Sequence, residues 1–148
     1  MNLLIMAQWE AAKHVPEDNT YAIRIHSAHP GMPKVPGLVK SDKYVHIVNY
    51  TFDDIDPRYP REGYRMFTED LAKLMLFDFE RHREEVDTLL IDAGMGKRRG
   101  PTIGVAFNEI FGFGHDSREL IRNHTEFGVI NTFIYSTLLK VAKEKKFM

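Results

Sequence analysis

With 148 residues, 43% of them hydrophobic, and a net charge of −1, the chain has apolar material for one core and too little charge asymmetry to argue a nucleic-acid or membrane-surface partner. Cysteine is absent, which excludes disulfides, thiolate metal sites and a cysteine nucleophile in the chain as written. No apolar run approaches the roughly 18 residues of a membrane span, and Leu3–Ala7 soon meets Glu10 and Lys13 in place of a signal-peptide pattern, so one cytoplasmic domain over residues 1–148 is expected.

Asn2–Met6 reads as a first strand and Gln8–His14 as a short helix closed by the turn Pro16-Glu17-Asp18-Asn19. Thr20–His26 alternates as a second strand. Ser27–Ser41 carries three prolines and two glycines and is expected to cross the surface as an irregular loop, with nothing in it to say whether it borders a site. Tyr44–Phe52 alternates as a third strand and delivers Asp53, Asp54 and Asp56 just past its end, where α/β proteins place chemistry. After the loop Pro57–Gly63, Thr68 is placed to cap a helix running to about His82. Glu69 and Asp70 suit its dipole, and Leu71, Leu74, Met75 and Phe79 recur at helical spacing.

Thr88–Ala106 organises the rest. Leu89–Ile91 is a short apolar strand, and Gly94, Gly96 and Gly100 let the backbone turn with its N–H groups inward. Pro101 then starts a helix where its missing N–H costs nothing. Such a loop offers free amide donors and the positive end of a helix dipole to one phosphate or sulfate, and Met95, Lys97, Arg98 and Arg99 complete its lining. An ordinary strand-to-helix turn with a solvated charge run is the competing reading. Pro101–Phe111, ended by Gly112 and Gly114, is followed by helices over Ser117–Asn123 and about Val129–Lys145. The alternation predicts an α/β fold with a mostly parallel sheet of about four strands covered by helices on both faces.

Other features read blandly. The seven histidines, His26, His29, His46 and His115 among them, show no two-on-a-helix metal spacing, so neither metal nor cofactor is expected. Trp9, Phe107, Phe111 and Phe133 fall at core-like spacings, and the basic tail Lys140–Lys146 reads as the solvated end of a helix.

The stretch Asp87–Pro101 resembles the phosphate-binding loop of the cysteine-based protein tyrosine and dual-specificity phosphatases, whose signature is His-Cys, five residues, Arg, then Ser or Thr. Asp92 stands at the histidine, Ala93 at the cysteine, Gly96 at the loop glycine, Arg99 at the arginine and Gly100 at the Ser/Thr. NLLIMAQWEAAKH, YTFDDID, the Thr68 helix and NTFIYSTLLKVA are similar to the compact bacterial and phage predicted tyrosine phosphatase branch, so the resemblance covers nearly the whole chain.

The resemblance implies a phosphatase-like fold and hydrolysis of phosphate monoesters through a cysteinyl-phosphate. Arg99 would clamp the phosphoryl oxygens, and an acid from Asp53, Asp54 or Asp56 would protonate the leaving oxygen, with Asp54 favoured and Asp56 next. Ala93 has no lone pair to attack phosphorus, so the chain as written is expected to be inactive. Either alanine replaces a cysteine of the natural protein, or the protein is a natural pseudophosphatase that binds phosphorylated partners. Asp92 and Gly100 lean to the second reading: a carboxylate raises the pKa of a neighbouring thiol, and the hydroxyl is lost unless Thr102 or Thr125 supplies one. Expected ligands are a phosphoprotein or, because of Lys97 and Arg98, a polyphosphorylated small molecule, inositol phosphate or nucleotide end. Solvent-facing Lys97 and Arg98 remain the alternative.

Overall fold

The computed structural model describes residues 1–148 and contains four strands, all parallel: β1 (Asn2–Met6), β2 (Thr20–His26), β3 (Tyr44–Thr51) and β4 (Thr88–Ala93), in the order β1-β4-β2-β3. The last strand in sequence is inserted at the centre, with Ile91 beside Ile5 on one side and Ile23 on the other. The loop after β4 therefore emerges between the ends of β1 and β2.

Burial follows position in the sheet. β4 is buried along its whole length and β2 is buried from Thr20 to Ile25, because both faces of these strands are covered. The alternation in Thr20–His26 does not mark a half-exposed strand. At the edge, β3 keeps its alternation: Val45, Ile47 and Asn49 are exposed, while His46, Val48 and Tyr50 are turned from solvent.

The helices are α1 (Gln8–Ala11), α2 (Glu69–His82), α3 (Arg99–Phe111), α4 (Ser117–His124) and α5 (Thr132–Glu144), with a single 3₁₀ turn at Arg83–Glu85 that periodicity did not predict. α1 stops short of His14. α2 is capped as predicted, the Thr68 hydroxyl accepting from Leu71 N at 3.1 Å. Its buried face is Ala72, Met75, Leu76 and Phe79, and Leu74, expected inside, is exposed. α3 begins at Arg99, two positions before Pro101, which still falls among the first-turn residues whose N–H groups have no helical acceptor. α5 begins at Thr132 because the Asn131 side chain accepts from Ile134 N.

Long helices cover one face, and on the other lies only the four-residue α1, a thinner cover than the two-sided one expected. On the first face α2, α3 and α5 bury a 23-residue core that includes Ile23, Ile25, Leu89, Ile91, Phe79, Ile103, Phe107 and Leu138. The opposite face has a cluster of four, Ala11, Ala22, Tyr44 and Leu90, flanked by Leu38 and Val39. The segments joining β1 to β2 and β2 to β3 supply only α1 and the proline-rich stretch, and neither can lay a long helix there. No helix is long and apolar enough to cross a membrane.

Candidate functional site

The β4–α3 loop folds back on α1. Gly96 has φ +72°, and a Cβ there would lie 2.5 Å from Ala7 N, so only glycine lets the loop approach the end of β1 so closely. Gln8 N donates to Gly94 O at 2.9 Å, and Gly96 N donates to Ala93 O in a tight turn. The amides of Met95, Lys97 and Arg98 have no protein acceptor. They are free donors, whereas the Gly96 amide is already engaged.

Arg99, the first residue of α3, is held from one side. Its Nη1 donates to Phe52 O at 2.8 Å and to His26 O at 3.5 Å, the carbonyls just beyond β3 and at the end of β2. Its Nη2 lies over Gly94, 3.1 Å from where a Cβ would be. The strand ends thus fix one edge of the guanidinium and leave the other at the loop, the orientation that bidentate oxyanion binding needs. Burial pushes its pKa down, opposed by the charges of Asp54 and Asp53.

The three aspartates part company. Asp54 lines a cavity of about 290 Å³ together with Ala93, Met95, Gly96, Lys97, Arg98, Arg99 and Glu126. Its carboxylate accepts from Asn131 Nδ2 at 2.7 Å and pairs with Arg98 Nε at 3.3 Å. Asp56 lies outside this cavity, gripped by the Arg58 fork at 2.6 and 3.1 Å, and those hydrogen bonds hold its carboxyl below the usual range. Asp53 is buried and organises loops: it accepts from Arg65 N at 2.7 Å, Ala28 N at 3.1 Å and His29 Nδ1 at 2.5 Å. Burial raises its pKa, but the hydrogen bonds from Arg65, His29 and Ala28 outweigh that and leave it lowered.

Asp92 does not face the loop. Its side chain, wholly buried, meets Arg24 Nε at 2.9 Å across the paired strands β2 and β4. Burial raises its pKa, and Arg24 works against the rise. The residue at the signature's histidine position is thus part of a sheet ion pair. Neither proposed hydroxyl reaches the loop interior: Thr102 donates to Arg98 O and accepts from Asn131 N, and Thr125 donates to Ile121 O. At Gly100 a Cβ would stand 3.3 Å from Ile5 Cγ2, tight for any side chain.

Several contributors escaped the sequence reading. Asn131 caps α5 while holding Asp54, a dual role whose only sequence sign is an Asn before a helical run. Glu126 adds a carboxylate to the cavity rim. Beside the cavity runs a groove of about 710 Å³, sharing Met95 with it and lined by Trp9, His29, Met32 and the Pro30–Pro36 segment. The proline-rich loop therefore does border the site. Trp9, expected in the core, is 57% exposed on this groove. Away from the loop, the structure also brings His46, His82 and Glu85 together, a group that same-helix spacing could not reveal because His46 arrives from β3.

No family model and no curated protein matches the sequence. Among solved structures, the chain is similar to Tk-PTP in its active form, with 16% identity and a TM-score of 0.49 over 98% of this chain and 93% of that one. A mutant form of Tk-PTP matches with 15% identity and a TM-score of 0.46 over 95% and 99%. Likeness at this level leaves the reading of the site to its own geometry.

Proposed function

We propose that the β4–α3 loop is the phosphate-monoester site of a phosphatase of the cysteine-dependent tyrosine or dual-specificity type, and that this chain, with Ala93 at the nucleophile position, binds such esters without hydrolysing them. The observation that carries the reading is the convergence on one cavity of Ala93, the loop with its free amides, the half-tethered Arg99 and the carboxylate of Asp54.

Each group has a role in that chemistry. The loop amides and the start of α3 hold the phosphoryl oxygens, and Arg99 clamps two of them more strongly as charge spreads in the transition state. With cysteine at 93, its thiolate attacks phosphorus and the ester oxygen leaves with a proton from Asp54. Water then hydrolyses the cysteinyl-phosphate. An arriving phosphoryl dianion competes with Asp54 for Arg98, which frees the carboxyl to turn to the leaving oxygen. Asp54 is preferred to Asp56 because only Asp54 lines the cavity.

A second reading, a natural phosphate-binding pseudophosphatase, draws on Gly100: the close approach of Ile5 leaves little room for the hydroxyl side chain that assists thiolate departure in the resembled family. The test is the Ala93→Cys variant. Turnover of para-nitrophenyl phosphate, abolished by adding Arg99→Ala, supports the enzyme reading. A folded variant that binds phosphate and never turns over supports the binding-only one.

For ligand class, Lys97 and Arg98 both line the cavity beside Arg99, which favours a ligand with more than one phosphate, such as a nucleotide end or an inositol phosphate. Equal or better turnover of a phosphotyrosine peptide by Ala93→Cys would contradict that preference.

A further inference from the structure

At the other end of the sheet lies a group that the proposed phosphate chemistry does not use. His82 ends α2 and Glu85 ends the 3₁₀ turn that follows, a spacing of three that puts both on one side of the chain. His46 meets them from the N-terminal part of β3, the free edge of the sheet. His46 Nε2 is 2.6 Å from Glu85 Oε2, His82 Nδ1 is 3.4 Å from the same oxygen, and the three ligand atoms lie within 4.8 Å of one another. The imidazoles face each other with centroids 3.8 Å apart, over the ring of buried Tyr21 at 5.7 and 6.5 Å. From this geometry we propose that His46, His82 and Glu85 bind one zinc ion.

The donor set decides the metal class. Two imidazole nitrogens and one carboxylate oxygen suit Zn²⁺ and its first-row neighbours, whereas Mg²⁺ and Ca²⁺ prefer oxygen. Around a tetrahedral zinc with bonds of about 2.0–2.1 Å, neighbouring ligand atoms stand about 3.3 Å apart. The His82–Glu85 separation already has that value. The His46–Glu85 contact has to open from 2.6 Å by about 0.7 Å, and the half-exposed Glu85 side chain has solvent beside it into which to shift. Local cations do not compete for the carboxylate: Arg81 is directed to Asp78 and Arg83 to Glu80. Glu85 faces solvent, so water takes the fourth position. An ion here ties the edge strand β3 to the end of α2, which makes the site a structural clip as well as a binding site. It lies at the opposite end of β3 from the phosphate loop and does not depend on the function proposed for that loop.

The test titrates zinc chloride into chelator-stripped full-length protein by calorimetry and follows thermal unfolding with and without zinc. One ion per chain is expected, with a raised unfolding midpoint. His46→Gln and His82→Gln should each weaken binding by at least about tenfold through loss of one of three donors, and His14→Gln should leave it unchanged. Midpoints of the metal-free variants, compared with metal-free wild type, separate lost ligation from lost folding. Zinc X-ray absorption on the unmodified protein should show two imidazole ligands, independent of any variant. Absence of saturable one-to-one binding, undiminished affinity in either histidine variant, or a ligand shell without two imidazoles would overturn the proposal.

Discussion

The two faces of the sheet differ in depth. Three helices bury 23 residues on one, and on the other α1 and the proline-rich segment shelter four. The β4–α3 loop sits at the C-terminal seam between them. From the deep face it receives α3, whose residues Gly100–Asn108 are all buried, and from the shallow face the groove with Trp9, Met32 and Met95 exposed along it. Stability is therefore concentrated under the loop, and adaptable surface lies in front of it. A rigid cradle with a permissive approach is what the proposed phosphate site would need to fix one phosphoryl group and accept varied attachments.

Phe107→Ala probes the deep face. Removing this fully buried ring should cost about 3–5 kcal/mol, read as a lower denaturation midpoint. Next comes Arg99→Ala, which should weaken phosphate binding by roughly 1.5–3 kcal/mol, the worth of charge-assisted hydrogen bonds, measured by calorimetry. Asp53→Asn should follow at about 1–2 kcal/mol of stability, because buried donors lose a charged acceptor. Its sign with pH is fixed by the lowered pKa: the stabilisation is full above the unfolded carboxyl value of about 3.9 and is lost as pH falls through the folded one. Acid unfolding of the Asn variant should accordingly be shallower than that of wild type below about pH 4. Smallest is Trp9→Ala on the shallow face, expected within about 0.5 kcal/mol of wild type. A loss there comparable with that of Phe107→Ala would erase the distinction between the faces.

The strands, α2 and the β4–α3 loop were legible because each rests on local signals: apolar runs, a capping threonine, glycines before a basic turn. What was misread depends on contacts remote in sequence. The uneven covering of the sheet combines two short connections, which were readable, with the order β1-β4-β2-β3, which no local pattern encodes. Asp92 stands one residue from the loop, yet its meaning comes from Arg24 on a neighbouring strand. Asp53, Asp54 and Asp56 are alike in sequence, and two of them take their place from remote partners, Arg65 for Asp53 and Asn131 for Asp54, while Asp56 is held by Arg58 two residues on. Trp9 had the spacing of a core residue, but α1 ends after four residues and leaves the ring on the groove.

The proposed phosphate site without its nucleophile is tested most directly by titrating tungstate, a phosphate mimic, into the unmodified chain and into Arg99→Ala while assaying both against para-nitrophenyl phosphate. One tungstate per unmodified chain is expected, with binding at least about tenfold weaker in Arg99→Ala and no turnover by either protein. Turnover by the chain with Ala93 in place, or tungstate affinity that ignores the loss of Arg99, would contradict it.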